Sequence, residues 1–114
     1  ICLIFGLPGE PPDIVEKTIA FLEKTKPEFV SLSGFCPIPG SPIFNNPQKY
    51  GIKYIDKDWS KHAHLLFRFS DEEEVGLPFE YEEVGPWGKN FSRTEIIENI
   101  RSTQRWLESR EMVY

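Results

Sequence analysis

The chain opens on an uninterrupted apolar run, Ile1-Cys2-Leu3-Ile4-Phe5, that stops at Gly6-Leu7-Pro8-Gly9. A short apolar run closed by turn punctuation fits a strand buried on both faces, as in parallel sheets. Parallel neighbours need a crossover, and the next residues supply one. Pro11 and Pro12 suit the first turn of a helix, where no intrahelical amide donor is required, and Asp13 suits its positive end. Ile14, Val15, Ile19, Phe21 and Leu22 then recur on one face; Glu16, Lys17, Glu23 and Lys24 lie on the other, with Asp13 and Lys17 paired at i,i+4. Pro27 ends the helix.

A second strand is predicted over Phe29 to Phe35. Val30 and Leu32 point one way, Ser31 and Ser33 the other. The serines either face solvent or line an open interior able to take a ligand. Residues 1–35 thus read as a strand–helix–strand unit with a right-handed crossover. Two parallel strands need neighbours to bury their faces, so the remaining strands must come from later in this chain or from a part that precedes it. The first residue is Ile1, which leads us to expect that the chain begins inside a longer polypeptide.

The stretch Cys36-Pro37-Ile38-Pro39-Gly40-Ser41-Pro42, continued by Asn45-Asn46-Pro47, reads as a proline-stiffened loop. Tyr50 to Ile55 fits a short strand or a helical turn. His64 to Phe69 reads as a strand leading into the acidic turn Asp71-Glu72-Glu73-Glu74. Phe79 to Glu82 alternates at period two, and would pair with it in a hairpin. Pro86 to Asn90 reads as a second loop. Ser92-Arg93-Thr94-Glu95 is a capping box with Phe91 placed to staple onto Ile96. It opens a final helix to about Glu108 whose face carries Ile96, Ile97, Ile100, Thr103 and Leu107.

Phe5-Gly6-Leu7-Pro8-Gly9-Glu10, the proline-opened helix with Glu16-Lys17-Thr18-Ile19-Ala20-Phe21, Lys26-Pro27-Glu28-Phe29, and Pro37-Ile38-Pro39-Gly40-Ser41-Pro42-Ile43-Phe44 follow one another in an order that resembles radical S-adenosylmethionine (SAM) enzymes. They match the fifth strand, fifth helix and sixth strand of those enzymes. The resemblance is closest to the branch that often carries an upstream cobalamin-binding domain, which includes anaerobic magnesium-protoporphyrin ester cyclases. It covers about the first 45 residues well, is weak over residues 46–90, and is loose again at the final helix.

The resemblance implies an α/β fold: a fragment of a partial (βα)6 radical SAM barrel with a βαβ unit, a C-terminal hairpin and a final amphipathic helix. Residues 1–45 would be the last βα units, and residues 46–114 an extension packed on them. The parent would be an iron–sulfur oxidoreductase using SAM and a [4Fe–4S] cluster, with cobalamin a further cofactor in that branch. The three cluster cysteines are absent here, and Cys2 and Cys36 stand on later strands, so the chain alone should hold no cofactor and be inactive. Family correspondence puts adenosine contacts at Ile4, Gly6, Leu7, Phe35 and Cys36; where the family often has an earlier strand glycine, this chain has Cys2. The same residues also suit plainer roles, Ile4 and Phe35 as core and Gly6 as a turn. The partners implied are the N-terminal remainder of the polypeptide and a small-molecule substrate.

Charge and cysteine use narrow the rest. Lys and Arg total 13 against 18 Asp and Glu, with no basic cluster, so a nucleic-acid partner is not expected. The two cysteines lack the spacing of a zinc site or disulfide framework and suggest a reducing, cytoplasmic setting without a membrane span. Gly6 to Gly9 lacks the dinucleotide and P-loop patterns, and three nearby prolines remove amide donors, so it is no phosphate cradle. His62 and His64, with Asp56 or Asp58, could share a metal, but no motif supports this over surface histidines. A non-enzymatic alternative is a small α/β interaction module whose acidic segment and Trp87 meet a protein partner.

Overall fold

The computed structural model describes residues 1–56 and 77–111. The predicted strand His64 to Phe69, the acidic turn Asp71 to Glu74 and the pair His62 and His64 lie outside the described residues. Within them the protein is a small α/β fold. Strand β1 (Cys2–Phe5) is followed by helix α1 (Ile14–Thr25) and strand β2 (Ser31–Gly34). Next come the short helix α2 (Pro42–Asn45), a 3-10 turn (Pro47–Tyr50) and strand β3 (Ile52–Ile55). Strands β4 (Phe79–Tyr81), β5 (Val84–Gly85) and β6 (Gly88–Lys89) lead into helix α3 (Arg93–Ser109).

The predicted strand–helix–strand unit is present. β1 and β2 pair in parallel, with Cys2 opposite Ser31, Leu3 opposite Leu32, Ile4 opposite Ser33 and Phe5 opposite Gly34. The pairing runs on past the strand ends, where the Phe35 amide donates to the Phe5 carbonyl at 2.7 Å. Alternation then puts Phe5 and Leu32 on one face, both buried, and Cys2, Ile4, Ser31 and Ser33 on the other. Ile4 is 51% exposed. The expectation of a strand buried on both faces is therefore corrected. The helices cover one face only, and the serine-bearing face is open in the described structure.

α3 lies against both β1 and β2, and α1 packs on α3. Leu22 is the fully buried residue of α1, whereas Phe21 is 46% exposed. Phe21 sits about 100° round the helix from Leu22 and so falls beyond the stripe that α3 reaches. Pro11 and Pro12 precede α1 instead of forming its first turn; the Ile14 amide closes a turn onto the Pro11 carbonyl at 3.1 Å. The helix ends where Lys26 turns left-handed at φ 45° and its amide returns to the Leu22 carbonyl. The expected Asp13–Lys17 pair forms at 3.6 Å, on the exposed surface.

The proline-rich loop holds more structure than expected. The Ser41 hydroxyl accepts from the Phe44 amide and caps α2, and Pro42 and Pro47 take the opening positions of two short helical turns. Tyr50 to Ile55 divides between both readings: the 3-10 turn ends at Tyr50 and β3 begins at Ile52. β4 pairs antiparallel with β3, with Ile52 opposite Tyr81 and Ile55 opposite Phe79. Pro86 to Asn90, expected as a loop, is largely the turn and second strand of a tight hairpin, β5–β6. The Asn90 side chain donates to the Glu82 carbonyl at 2.9 Å and fills the space beside Gly85, where a Cβ would come within 2.6 Å of Asn90 Nδ2.

α3 forms as its signals indicate. Ser92 and Glu95 each bond the other's backbone amide in the capping box. Ile96, Ile100, Thr103 and Leu107 are buried, joined by Gln104, whose Oε1 accepts from Arg101. One core runs from Phe5, Leu22, Val30 and Leu32 through Ile52, Leu77, Phe79 and Tyr81 to Ile96, Ile100 and Leu107. Residues 1–45 and the described part of 46–114 thus share a single core. Among the described residues the strands form three two-stranded sheets, and no barrel closes.

Candidate functional site

The carboxyl ends of β1 and β2 bring three of the sequence-derived residues together. Gly6 follows β1 at φ 97°, a backbone region that L side chains rarely enter. A Cβ placed there would stand 3.2 Å from Ile96 Cγ2 and 3.6 Å from the Cβ of Phe35. Gly6 and Phe35 are therefore neighbours across the strand ends, and Leu7 continues from them with its side chain exposed. Ile4 stands two residues back on the open face, level with Ser33, whose hydroxyl donates to the Leu3 carbonyl at 3.3 Å. Cys36 lies one residue past Phe35, half-buried. Burial pushes the Cys36 thiol up, which favours the protonated form and makes it a poor nucleophile.

Two residues to which sequence reasoning gave no role hold this turn in place. The Glu10 carboxylate reaches back four residues, and its Oε1 accepts from the amides of Gly6 at 2.8 Å and Leu7 at 3.2 Å. From the other side the Tyr81 hydroxyl donates to the Gly6 carbonyl at 2.6 Å. Both backbone polar groups of Gly6 are thus consumed inside the protein. Gly6 is itself buried, and the space its missing Cβ leaves faces Ile96 and Phe35, so its part is to shape the turn. Phe35, Phe79 and Tyr81 form an edge-to-face series behind the turn, with centroids 5.5 Å and 5.1 Å apart. Glu10 was visible in the Gly-Leu-Pro-Gly-Glu motif, and Tyr81 in the period-two alternation of Phe79 to Glu82. A buried tyrosine hydroxyl calls for a partner, but nothing in one sequence names a carbonyl 75 residues away.

Electrostatics at the turn are governed by partial burial. Burial raises the Glu10 carboxyl above its ordinary range, against the lowering effect of the two amides. Its second oxygen, Oε2, is buried with no hydrogen-bond partner, beside a cavity of about 10 Å³ lined by Gly6, Glu10, Tyr81 and Ile96 among others. Burial, and then the Glu10 charge, push the Tyr81 hydroxyl far up, so it stays a donor at all ordinary pH values. A raised folded-state carboxyl stabilises the fold below its unfolded pKa and loses that contribution as pH rises through the folded value. Glu95 runs the other way: the Ser92 amide bond lowers its carboxyl, so its contribution is lost as pH falls. Glu10→Gln keeps the Oε1 acceptor without the charge. We expect it to flatten the decline in stability between acid and neutral pH, measured as urea midpoints across that range; an unchanged slope contradicts the assignment.

The cluster does not fit this chain's thiols. Cys36 lies five residues beyond Ser31, the cross-strand partner of Cys2, so roughly 16 Å separates the two along the strands. Two thiols at opposite ends of a sheet cannot ligate one [4Fe–4S] cluster. Among the described residues no group of three or more His, Cys, Asp or Glu side chains is placed to hold a metal ion. No described helix is long and apolar enough to cross a membrane. Comparisons with protein-family models, curated proteins and solved structures found no match to the chain.

Proposed function

We propose that this chain is the C-terminal part of a radical SAM domain and supplies the wall that meets adenosine. One observation carries the reading. A parallel strand pair ends in a held turn, and beside it the apolar side chains of Ile4 and Leu7 are exposed. Ligands of open parallel sheets bind at the carboxyl ends of the strands. Ile4 and Leu7 offer apolar surface suited to a purine face. Gly6 lets the turn close over Ile96, and Phe35 backs it from inside. Cys36 lies next to this wall as a protonated thiol.

Among the described residues one face of β1 is open and its outer edge carries no partner strand, which supports a further part of the reading, in which an upstream strand of the same polypeptide docks there and extends the sheet toward a partial barrel. That remainder would bring the cluster and, in the branch the sequence most resembles, cobalamin. SAM bound to such a cluster supplies radical chemistry; this chain's own residues bind and orient adenosine and help wall off a small-molecule substrate. The cytoplasm is the compartment that fits two cysteines outside any disulfide and an oxygen-sensitive cofactor. Reading the transcript upstream of Ile1 tests the assignment. A strand followed by three cysteines with intervening gaps of three and two residues is expected. An upstream frame without such a loop overturns it.

A further inference from the structure

We propose that Tyr81 and Glu10 form a two-sided latch that sets the conformation of the strand-end turn, and that both are positioning residues for the ligand-facing wall. Gly6 is the residue that both side chains hold. At φ 97° it stands in a region glycine enters freely, so its own backbone does not fix the turn and neighbours must. Here they do so from both sides. The Glu10 oxygen collects the amides of Gly6 and Leu7, which draws Leu7-Pro8-Gly9 into a closed loop. The Tyr81 hydroxyl fixes the Gly6 carbonyl, which orients the peptide plane that follows.

Tyr81 sits on β4, its ring set against Phe79, and β4 pairs with β3 through Ile52. The turn after the first strand is therefore held by a segment that arrives 75 residues later. Trp87, at the tip of the β5–β6 hairpin, lies against Gly9 on the outer side of the same loop, and Tyr50 stands beside it at 6.2 Å between ring centroids. The loop is gripped from within by Tyr81 and covered from without by Trp87. In consequence, anything that orders or displaces the 79–90 segment moves the Leu7 side chain. By linkage, a ligand that selects one conformation of the turn biases that segment in return.

The functional consequence rests on the adenosine-wall reading, but the latch itself is tested without any ligand. Amide hydrogen exchange of the full chain, resolved by NMR, reads it directly. In Tyr81→Phe, the exchange rates of Gly6 and Leu7 should rise at least about tenfold more than those of the α3 core amides Ile100 and Leu107, since an unpaired buried carbonyl loosens its own turn first. Glu10→Ala should free the same two amides. Glu10→Gln, which retains the acceptor oxygen, should hold them within about threefold of the parent chain. Equal acceleration of turn and core amides would show that Tyr81 merely stabilises the fold, and overturns the latch. Equal exposure of Gly6 and Leu7 in the Gln and Ala variants overturns the role of Glu10. Neither result depends on whether S-adenosylmethionine binds.

Discussion

Phe79→Ala is expected to cost about 3–5 kcal/mol, the range for removing a fully buried phenylalanine. Phe79 is 0% exposed, pairs with Ile55 across β3–β4 and sits between the rings of Phe35 and Tyr81. Its loss opens a cavity where the strand–helix–strand unit meets the later strands. Domains of this size hold about 5–15 kcal/mol in total, so the variant should be largely unfolded under mild denaturant where the parent is folded. Urea unfolding followed by circular dichroism measures this. A loss below about 1.5 kcal/mol, the level of a conservative core swap, contradicts the packing described.

Gly6→Ala is the second large effect. Two separate costs combine at one atom. The backbone at φ 97° is strained for any residue with a Cβ, at about 1–3 kcal/mol. The new methyl would also stand 3.2 Å from Ile96 Cγ2, closer than ordinary contact. Ile96 is buried in the first turn of α3, so it can give way only by moving the helix against the sheet. A loss of at least about 2 kcal/mol is expected in the same urea experiment. A variant as stable as the parent would mean that the turn readily adopts another conformation, and would remove the basis for a preformed wall.

Elements driven by local chemistry were legible. The Ser92–Glu95 box, the helix stop before Pro27, the alternation of Val30 and Leu32 against Ser31 and Ser33, and the Asp13–Lys17 pair depend on neighbours within a few residues. What was not legible depends on distance. The open face of β1 follows from which helix covers the sheet, and it is α3 that does so. Phe21 belongs to the apolar set of α1, but the partner surface does not reach it. Ser41 and the prolines at 42 and 47 nucleate short turns that look like loop residues in isolation.

The candidate site divides along the same line. Gly6, Leu7 and Phe35 could be named because a resemblance points to them. The hydrogen bonds that hold Gly6 could not, because Tyr81 reaches it from the far part of the chain. Glu10 shows the intermediate case. It lies within the motif, yet its action backwards onto the amides of Gly6 and Leu7 appears only when the loop is closed.

The central claim, that the exposed strand-end surface receives adenosine, is tested most directly by titrating S-adenosylmethionine into the longer polypeptide proposed above, in parent and Ile4→Asp forms. Ile4 is 51% exposed and takes no part in the buried core, so the fold should tolerate the aspartate. The parent should bind and the variant should lose at least about tenfold in affinity, a difference of about 1.4 kcal/mol for setting a charge against the purine face. Equal binding by both forms, or no binding by the parent, would contradict it.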